Sequence, residues 1–469
     1  MLFNSMTYAV FLPVVFGLYW LSPTRRIQNA LLLVASYVFY GAWDYRFLGL
    51  IALTSVMDYA VGRWLGRTAS ETRRRVILGI SLGLNLGILA TFKYYGFFVS
   101  SGISLLRSFG LEPNPPLLEV VLPVGISFYT FQSLSYTFDV YRRRFEPTRS
   151  LLDFATFVAY FPQLVAGPIE RAGHLLPQMQ RSRRFPSSAS FRSGLVLILL
   201  GLFKKVAIAD SVALIAQSAF AGRGGATSHL LGMYAFAIQI YCDFSGYSDI
   251  ARGSSRLFGI ELMRNFEQPY LSRSITEFWR RWHISLSSWL HDYLYVPLGG
   301  NKRGRVRTYV NLIVTMLLGG LWHGAAWTFV IWGGLHGVLL AVHRRLGGYV
   351  PRGEPAPLKL REIPAILLTF HLVGVLWIFF RAPDIGSAWT YLYELATGTW
   401  SAANPNDLVL LLFAAAALLL IDLSQRITND HAVILRWPSL ARGFAMATCI
   451  AAIVLWSGGE AQPFIYFQF

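Results

Sequence analysis

Three polar clusters interrupt long apolar stretches of this chain, and they hold the residues best suited to chemistry. The clusters occupy residues 241–249, 279–300 and 321–327. Polar and ionisable groups at membrane depth are costly, so such clusters mark candidate functional sites. The candidate substrate-lining and tunnel-lining residues are Asp243, Ser245, Tyr247, Trp282, Asp292 and Trp322.

His323 is the most informative residue, because no Asp, Glu, Lys or Arg occurs between positions 309 and 342. Gly319, Gly320 and Gly324 flank it and let other groups approach the backbone closely. Burial favours the neutral imidazole, which is the form that a general base requires. One interpretation is a general base in a water-poor tunnel. The other is a packing histidine that bonds to a neighbouring helix.

His283 lies on a segment in which aromatic and basic residues alternate. This pattern also fits an amphipathic surface helix, and its distance from His323 in sequence leaves their proximity open. No carboxylate or cysteine stands at metal-ligand spacing, so no metal site is predicted. Asp292 is a candidate for orienting a nearby histidine. The other histidines are interpreted as solvated at His174, His229, His343 and His431, packed at His336 and interhelical at His371.

The composition sets the class of protein. Of 469 residues, 54% are hydrophobic and 14% are charged, whereas soluble domains carry about 25% charged residues. The net charge of +17 therefore does not indicate a soluble nucleic-acid-binding protein. It is interpreted first as a signal of membrane topology.

The apolar runs predict an all-α polytopic membrane protein with about a dozen transmembrane or re-entrant helices. Residues 151–167 contain Asp153 and Pro162 and predict a broken or re-entrant helix. Lys204 and Lys205 interrupt one apolar run and indicate either a turn or a cavity wall. The candidate spans are residues 2–21, 28–40, 48–61, 76–98, 118–140, 191–220, 230–250, 309–321, 325–342, 363–380, 408–423 and 444–456.

Basic residues concentrate after the first, third and fifth candidate spans, at positions 25–26, 63–75 and 142–149. Because short cytoplasmic loops are enriched in Lys and Arg, this pattern predicts a periplasmic N-terminus. No internal repeat is visible, and residues 1–469 are interpreted as one integral membrane domain. The Pro-rich stretch 351–357 connects residues 1–346 to the C-terminal helices of residues 347–469.

Several catalytic motifs are absent from the sequence, including the P-loop, the G-x-G-x-x-G motif and the G-x-S-x-G elbow. The basic turn at residues 299–305 suits either a phosphate-bearing ligand or anionic lipid headgroups. A covalent serine mechanism is therefore not indicated.

Six motifs follow one another along the chain, at residues 123–132, 161–169, 241–249, 278–285, 321–327 and 464–469. Together they resemble the membrane-bound O-acyltransferase family, and specifically its bacterial alginate O-acetyltransferase branch. The resemblance implies a ring of helices around a central acyl-transfer tunnel, with the catalytic region at residues 240–346. It also implies that His323 is the catalytic histidine and His283 its supporting histidine.

The resemblance further implies acetyl-CoA, or another acyl thioester, as a donor substrate, with no bound cofactor. The candidate donor-binding residues on the cytoplasmic side are Arg280, Arg281, Lys302 and Arg303. His291 replaces an arginine that the branch usually has, so no donor-binding role is assigned to it. The expected partners are the lipid bilayer of the bacterial inner membrane, a periplasmic acetyltransferase and a polysaccharide acceptor.

In the expected mechanism, His323 removes a proton from an acceptor hydroxyl that attacks the thioester carbonyl. His283 and indole N–H groups such as that of Trp322 position the donor or stabilise the oxyanion. Two alternatives are D-alanyl transfer from a carrier protein to teichoic acid and a permease for an anionic polymer or lipid-linked sugar. The absence of repeats and the isolated His323 favour an enzyme over a permease.

Overall fold

The computed structural model describes residues 1–113, 121–165, 167–348, 358–457 and 464–465. These residues form helices and connecting segments, without a β-strand among them, which confirms the all-α prediction. The chain divides into two compact units, Met1–Pro186 with Phe258–Leu262 and Ser187–Leu257 with Met263–Phe469. The interpretation of residues 1–469 as one integral membrane domain stays a prediction.

The first unit consists of helices that precede residue 187. Ser5 and Ser150 begin two of them by accepting hydrogen bonds from backbone N–H groups of the first turn. The helices are α1 (Met6–Leu21), α2 (Arg25–Asp44), α3 (Leu48–Arg67), α4 (Glu71–Leu89), α5 (Tyr95–Ser108), α6 (Ile126–Tyr141), α7 (Leu151–Ala159), α8 (Phe161–Leu164) and α9 (Ala172–Gln180).

Buried polar groups connect the helices of the first unit. Asp58 on α3 accepts hydrogen bonds from Ser81 Oγ at 2.8 Å and Asn85 Nδ2 at 3.0 Å, both on α4. Asp153 on α7 accepts from Asn29 Nδ2 at 2.7 Å and pairs with Arg25 at 2.9 Å, both on α2. Such bonds satisfy polar groups that apolar surroundings would otherwise penalise.

The second unit contains the three polar clusters. Its α13 begins at Ser274, whose side chain accepts from the backbone N–H of Glu277. The helices are α10 (Ser188–Leu202), α11 (Asp210–Phe220), α12 (Ala226–Leu257), α13 (Ile275–Arg281), α14 (Ile284–Leu290), α15 (Arg305–His323), α16 (Trp327–Arg345), α17 (Ile363–Arg381), α18 (Ile385–Thr397), α19 (Pro405–Thr428) and α20 (Ser439–Trp456).

Short predicted spans become longer helices because polar residues at their ends continue the helical hydrogen bonding. The runs at 28–40, 48–61 and 309–321 correspond to α2, α3 and α15. By length and apolar character, the described segments able to cross a membrane are Glu71–Ser108, Leu360–Arg381, Pro405–Thr428 and Ser439–Trp456. A dozen crossings are therefore not established. Residues 118–120 of one candidate span and the connection at 351–357 lie outside the described residues.

The segment predicted to be broken is broken. α7 ends at Ala159 and α8 begins at Phe161, with Tyr160 in a non-helical conformation at ψ 112° between them. Pro162 stands in the first turn of α8, where the missing N–H of proline has little cost. The break is confirmed, and the re-entrant path stays a prediction.

Lys204 and Lys205 do not mark a turn, because the chain continues as a π-helical segment, Phe203–Ala209, between α10 and α11. The cavity-wall alternative is confirmed for Lys204, which lines a polar cavity of the second unit. Lys204 pairs with Asp249 at 2.8 Å, and Lys205 pairs with Asp210 at 2.8 Å and Asp243 at 2.9 Å. These buried pairs place each ammonium beside a carboxylate, which offsets part of their desolvation cost.

Candidate functional site

The loop before α14 holds His283 in a left-handed backbone conformation, with φ 43° and ψ 55°. This conformation costs a residue other than glycine on the order of 1–3 kcal/mol and persists only when its surroundings impose it. Here the imposing residue is Asn265, whose carbonyl accepts from the Ile284 N–H at 2.9 Å. Asn265 also accepts from Ser285 Oγ at 2.6 Å and donates to Ser248 Oγ at 3.0 Å.

His323 is the last residue of α15, and close contact between α15 and α16 determines its position. A Cβ atom on Gly320 would lie 2.1 Å from the carbonyl oxygen of Phe329, and one on Gly333 would lie 2.2 Å from that of Met316. Only glycine permits such close backbones at these two positions. The small residues near His323 therefore bring the two helices together.

The structure brings the two histidines together. Their ring centroids lie 6.2 Å apart, and the residues are 0% and 4% exposed for His283 and His323. Phe244 contacts the His283 ring at 4.7 Å, while Trp332 and Phe380 contact the His323 ring at 5.2 and 5.4 Å. Residues from α12, α15, α16, α17 and the loop before α14 thus form one aromatic-lined site.

His283 is neutral in this site. Its loop lies between two short helices, outside the candidate spans, and burial lowers the pKa of His283 from 6.5 to about 3. An imidazole that stays neutral at physiological pH can donate one hydrogen bond and accept another. It can therefore position a substrate group without adding a charge.

Trp322 and Trp282, the two tryptophans among the predicted lining residues, have different contacts. Trp322 contacts both histidines, at 5.9 Å from His283 and 5.1 Å from His323. Trp282 is fully buried and packs against Trp377 at 4.9 Å.

The lining residues on α12 contact other parts of the second unit. Asp243 accepts the N–H of Ile465 at 2.7 Å, and Tyr247 packs on Phe464 at 4.2 Å. Residues 466–469 of the terminal motif lie outside the described residues. Asp292, the candidate for orienting a histidine, meets its neighbour His291 at 2.8 Å on the partly exposed side.

Ser245 lines a polar cavity next to the histidine site. Asn265 borders this cavity as well as the His283 loop, so the two features share a wall. The cavity lining is Lys204, Tyr241, Ser245, Ser248, Asp249, Arg252, Asn265, Phe266, Gln425 and His431.

The four candidate donor-binding residues differ in exposure. Arg280, Lys302 and Arg303 are exposed, as a surface for an anionic ligand requires. Arg281 is buried, bonds to Glu277 at 2.8 Å and donates to the carbonyl of Glu267 at 2.9 Å. The structure therefore corrects the grouping: Arg281 fixes the loop before His283 and does not belong to the exposed basic surface.

Two histidines that were expected to be solvated are buried. His229 bonds to the carbonyl of Gly225 at 2.9 Å, and His431 accepts from Arg252 at 3.1 Å. The packing interpretation of His336 is confirmed, because its buried Nδ1 accepts from Trp279 Nε1 at 3.2 Å. His371 on α17 bonds to Tyr234 on α12 at 2.8 Å, which confirms the interhelical interpretation.

Sequence reasoning missed four residues of the site: Phe244, Asn265, Trp332 and Phe380. Three of them contact a histidine ring, and Asn265 bonds to the two residues after His283. They come from different parts of the chain, so their spacing does not indicate the site. Trp332 and Phe380 stand within apolar runs, where an aromatic residue is ordinary. Phe244 is the one with a local signal, because it lies within the first polar cluster, between the predicted residues Asp243 and Ser245.

Comparison with known proteins identifies relatives over the whole chain. The membrane-bound O-acyltransferase family matches residues 127–352. A protein named probable alginate O-acetylase AlgI from Azotobacter vinelandii is 42% identical over 100% of both chains. Its Pseudomonas aeruginosa counterpart is 46% identical over 87% of this chain and 77% of its own.

A peptidoglycan O-acetyltransferase from Helicobacter pylori is more distant, at 35% identity over 83% of this chain and 78% of its own. These matches extend well beyond the polar clusters, and the enzymes named share the transfer of an acyl group to oxygen. The chain belongs to the membrane-bound O-acyltransferase family.

Proposed function

We propose that this O-acyltransferase moves an acetyl group from a cytoplasmic thioester, acetyl-CoA, for O-acetylation of an exopolysaccharide such as alginate. The observation that carries this function is the buried pair of His283 and His323, 6.2 Å apart within aromatic walls. The full-length similarity to proteins named alginate O-acetylase supports the choice of acetyl group and polymer.

The reaction needs a base, a hydroxyl nucleophile on the acceptor and an electrophilic thioester carbonyl on the donor. His323 accepts the proton of an acceptor hydroxyl as the hydroxyl oxygen bonds to the thioester carbonyl carbon. The carbon–sulfur bond then breaks, and the leaving thiolate takes the proton from His323, so no external acid or oxidant is required. Positioned base catalysis of this type contributes about 10²–10⁴-fold. His283 holds the reacting groups in place from the other side of the site.

The donor approaches through the exposed basic surface of the second unit. Arg280, Lys302 and Arg303 are exposed and suited to attract a molecule that carries several negative charges. We place this surface on the cytoplasmic side, because basic residues concentrate in cytoplasmic loops.

The proposed setting is the bacterial inner membrane, with a periplasmic N-terminus and about a dozen helices around a central tunnel. A periplasmic acetyltransferase then receives the acetyl group and passes it to the polymer. The apolar segments of the chain support the membrane setting, and the basic loops at 25–26, 63–75 and 142–149 support the orientation.

The test is acetyl transfer from labelled acetyl-CoA in membranes that contain the chain and a candidate periplasmic acetyltransferase. We expect His323→Ala to lose about 10²-fold or more of the rate, because the base is removed. His371→Ala is the matched control, since this histidine bonds to Tyr234 and lies outside the site. Near-normal transfer by His323→Ala would refute the role of His323 as the base, whereas no acetyl transfer by the unmodified chain would refute the function. Preferential use of a D-alanyl carrier-protein thioester would replace acetyl transfer by D-alanyl transfer.

A further inference from the structure

Trp332 on α16 combines two properties that bear on the reaction. It is 1% exposed, and its ring lies 5.2 Å from the ring of His323, with the planes at 90°. Its Nε1–H is buried, with no hydrogen-bond acceptor in the described part of the chain. A buried donor without an acceptor costs about 1–3 kcal/mol, and folded proteins rarely keep one without a role.

The surroundings of Trp332 are aromatic and offer ring faces and edges. Trp377 stacks on it at 5.5 Å and 20°, and Phe380 contacts it at 5.0 Å. His336 lies 4.8 Å away, but its Nδ1 already accepts from Trp279. In such a low-dielectric environment, a hydrogen bond to a charged oxygen is far stronger than in water.

We propose that the Nε1–H of Trp332 donates a hydrogen bond to the thioester carbonyl oxygen as that oxygen becomes negative. This inference rests on the proposed function and assigns a second catalytic group to it. When the acceptor oxygen bonds to the carbonyl carbon, His323 takes the hydroxyl proton and the carbonyl electron pair moves onto oxygen. When the carbon–sulfur bond breaks, the electron pair returns and the thiolate takes the proton from His323.

The packing holds this donor in place before the reaction begins. Trp332 precedes Gly333, whose close contact with α15 fixes the separation of the two helices, and the stacked Trp377 limits rotation of the indole. Oxyanion donors are effective because they need no reorganisation when charge develops. A neutral carbonyl is a weaker acceptor, so the bond favours the transition state over the bound donor.

The experiment replaces the indole and measures kcat and KM separately for the acetyl donor. Trp332→Phe keeps an aromatic ring and removes the N–H, and we expect kcat to fall by about 10²–10³-fold with little change in KM. The control is Trp279→Phe, in the same aromatic group, because the N–H of Trp279 already has an acceptor in His336. We expect this control to keep a kcat close to that of the unmodified protein.

Two further measurements separate an oxyanion role from packing. Benzothienylalanine at position 332 keeps the shape of tryptophan and replaces the N–H by sulfur, and we expect the same loss of kcat. A trifluoromethyl ketone analogue of the acetyl donor mimics the tetrahedral oxyanion, so its affinity should fall by the same factor.

A kcat for both position-332 variants equal to that of Trp279→Phe would overturn the inference. Failure of the proposed function is distinguishable, because the unmodified chain would then transfer no acetyl group.

Discussion

Asn265 determines the conformation of the His283 loop through three hydrogen bonds. Its backbone carbonyl bonds to Ile284, and its side chain connects Ser285 on α14 to Ser248 on α12. Two of these partners, Ile284 and Ser285, directly follow the left-handed residue, so Asn265 holds the start of α14 against α12 and opposes relaxation of His283 to an ordinary conformation. Asn265 is therefore a positioning residue that acts on the reaction through His283.

Asn265→Ala keeps the backbone bond to Ile284 and removes both side-chain bonds, so it should loosen the loop and leave the buried hydroxyl groups of Ser248 and Ser285 without this partner. The expected loss of stability is about 1–3 kcal/mol, accompanied by a fall in kcat that exceeds any change in KM. Asn265→Asp keeps the acceptor for Ser285 and should recover part of kcat, which a general packing defect would not allow. The exposed Asn406→Ala is the control, and equal kinetics for both alanine variants would contradict the role.

At the scale of elements, the contact between α15 and α16 positions both His323 and Trp332. Gly320 faces the carbonyl of Phe329, and Gly333 faces the carbonyl of Met316, each at a distance that excludes a side chain. Helices with small residues at their contact pack closely in membranes, where water does not drive their association. The distance between the His323 and Trp332 side chains therefore depends on the absence of a Cβ atom at Gly320 and Gly333.

Gly333→Ala should separate α15 from α16, because its Cβ would lie 2.2 Å from a backbone carbonyl that cannot move alone. Overpacking of this kind typically costs about 1–3 kcal/mol, and the shift should also reduce acetyl transfer. Gly334→Ala is the neighbouring control, since its Cβ would meet the flexible end of Leu317 at 3.0 Å. Thermal stability and transfer rate measure both effects, and identical behaviour of the two variants would contradict the argument.

At the scale of the whole molecule, composition and apolar runs predicted the helical class because both depend on local sequence. The break near Tyr160 was predicted for the same reason, since Pro162 acts on its own neighbourhood. The pairing of His283 with His323 was not predicted, because it depends on how α12, α14 and α15 pack. Lys204 shows the same limit, as its partner Asp249 lies on another helix.

Net charge also acts at this scale, and it predicts how the donor is captured. Lys302 and Arg303 are exposed beside the start of α15, and they contribute to the +17 of the chain. Replacing both by Glu should raise the KM for acetyl-CoA several-fold with little change in kcat, because the residues attract the donor without touching the reacting atoms. The difference from the unmodified chain should shrink as salt increases, since a Debye length of about 8 Å at physiological ionic strength falls to about 3 Å at 1 M.

Arg107→Glu provides the control for this pair, because Arg107 is exposed in the last turn of α5, after the fourth candidate span and on the side predicted to face the periplasm. It changes the net charge in the same direction, so an unchanged KM in this variant would show that location, and not total charge, determines donor capture. A KM that rises equally in both variants would instead assign the effect to the overall field. A KM that is insensitive to salt in every variant would remove the electrostatic role of the basic surface altogether.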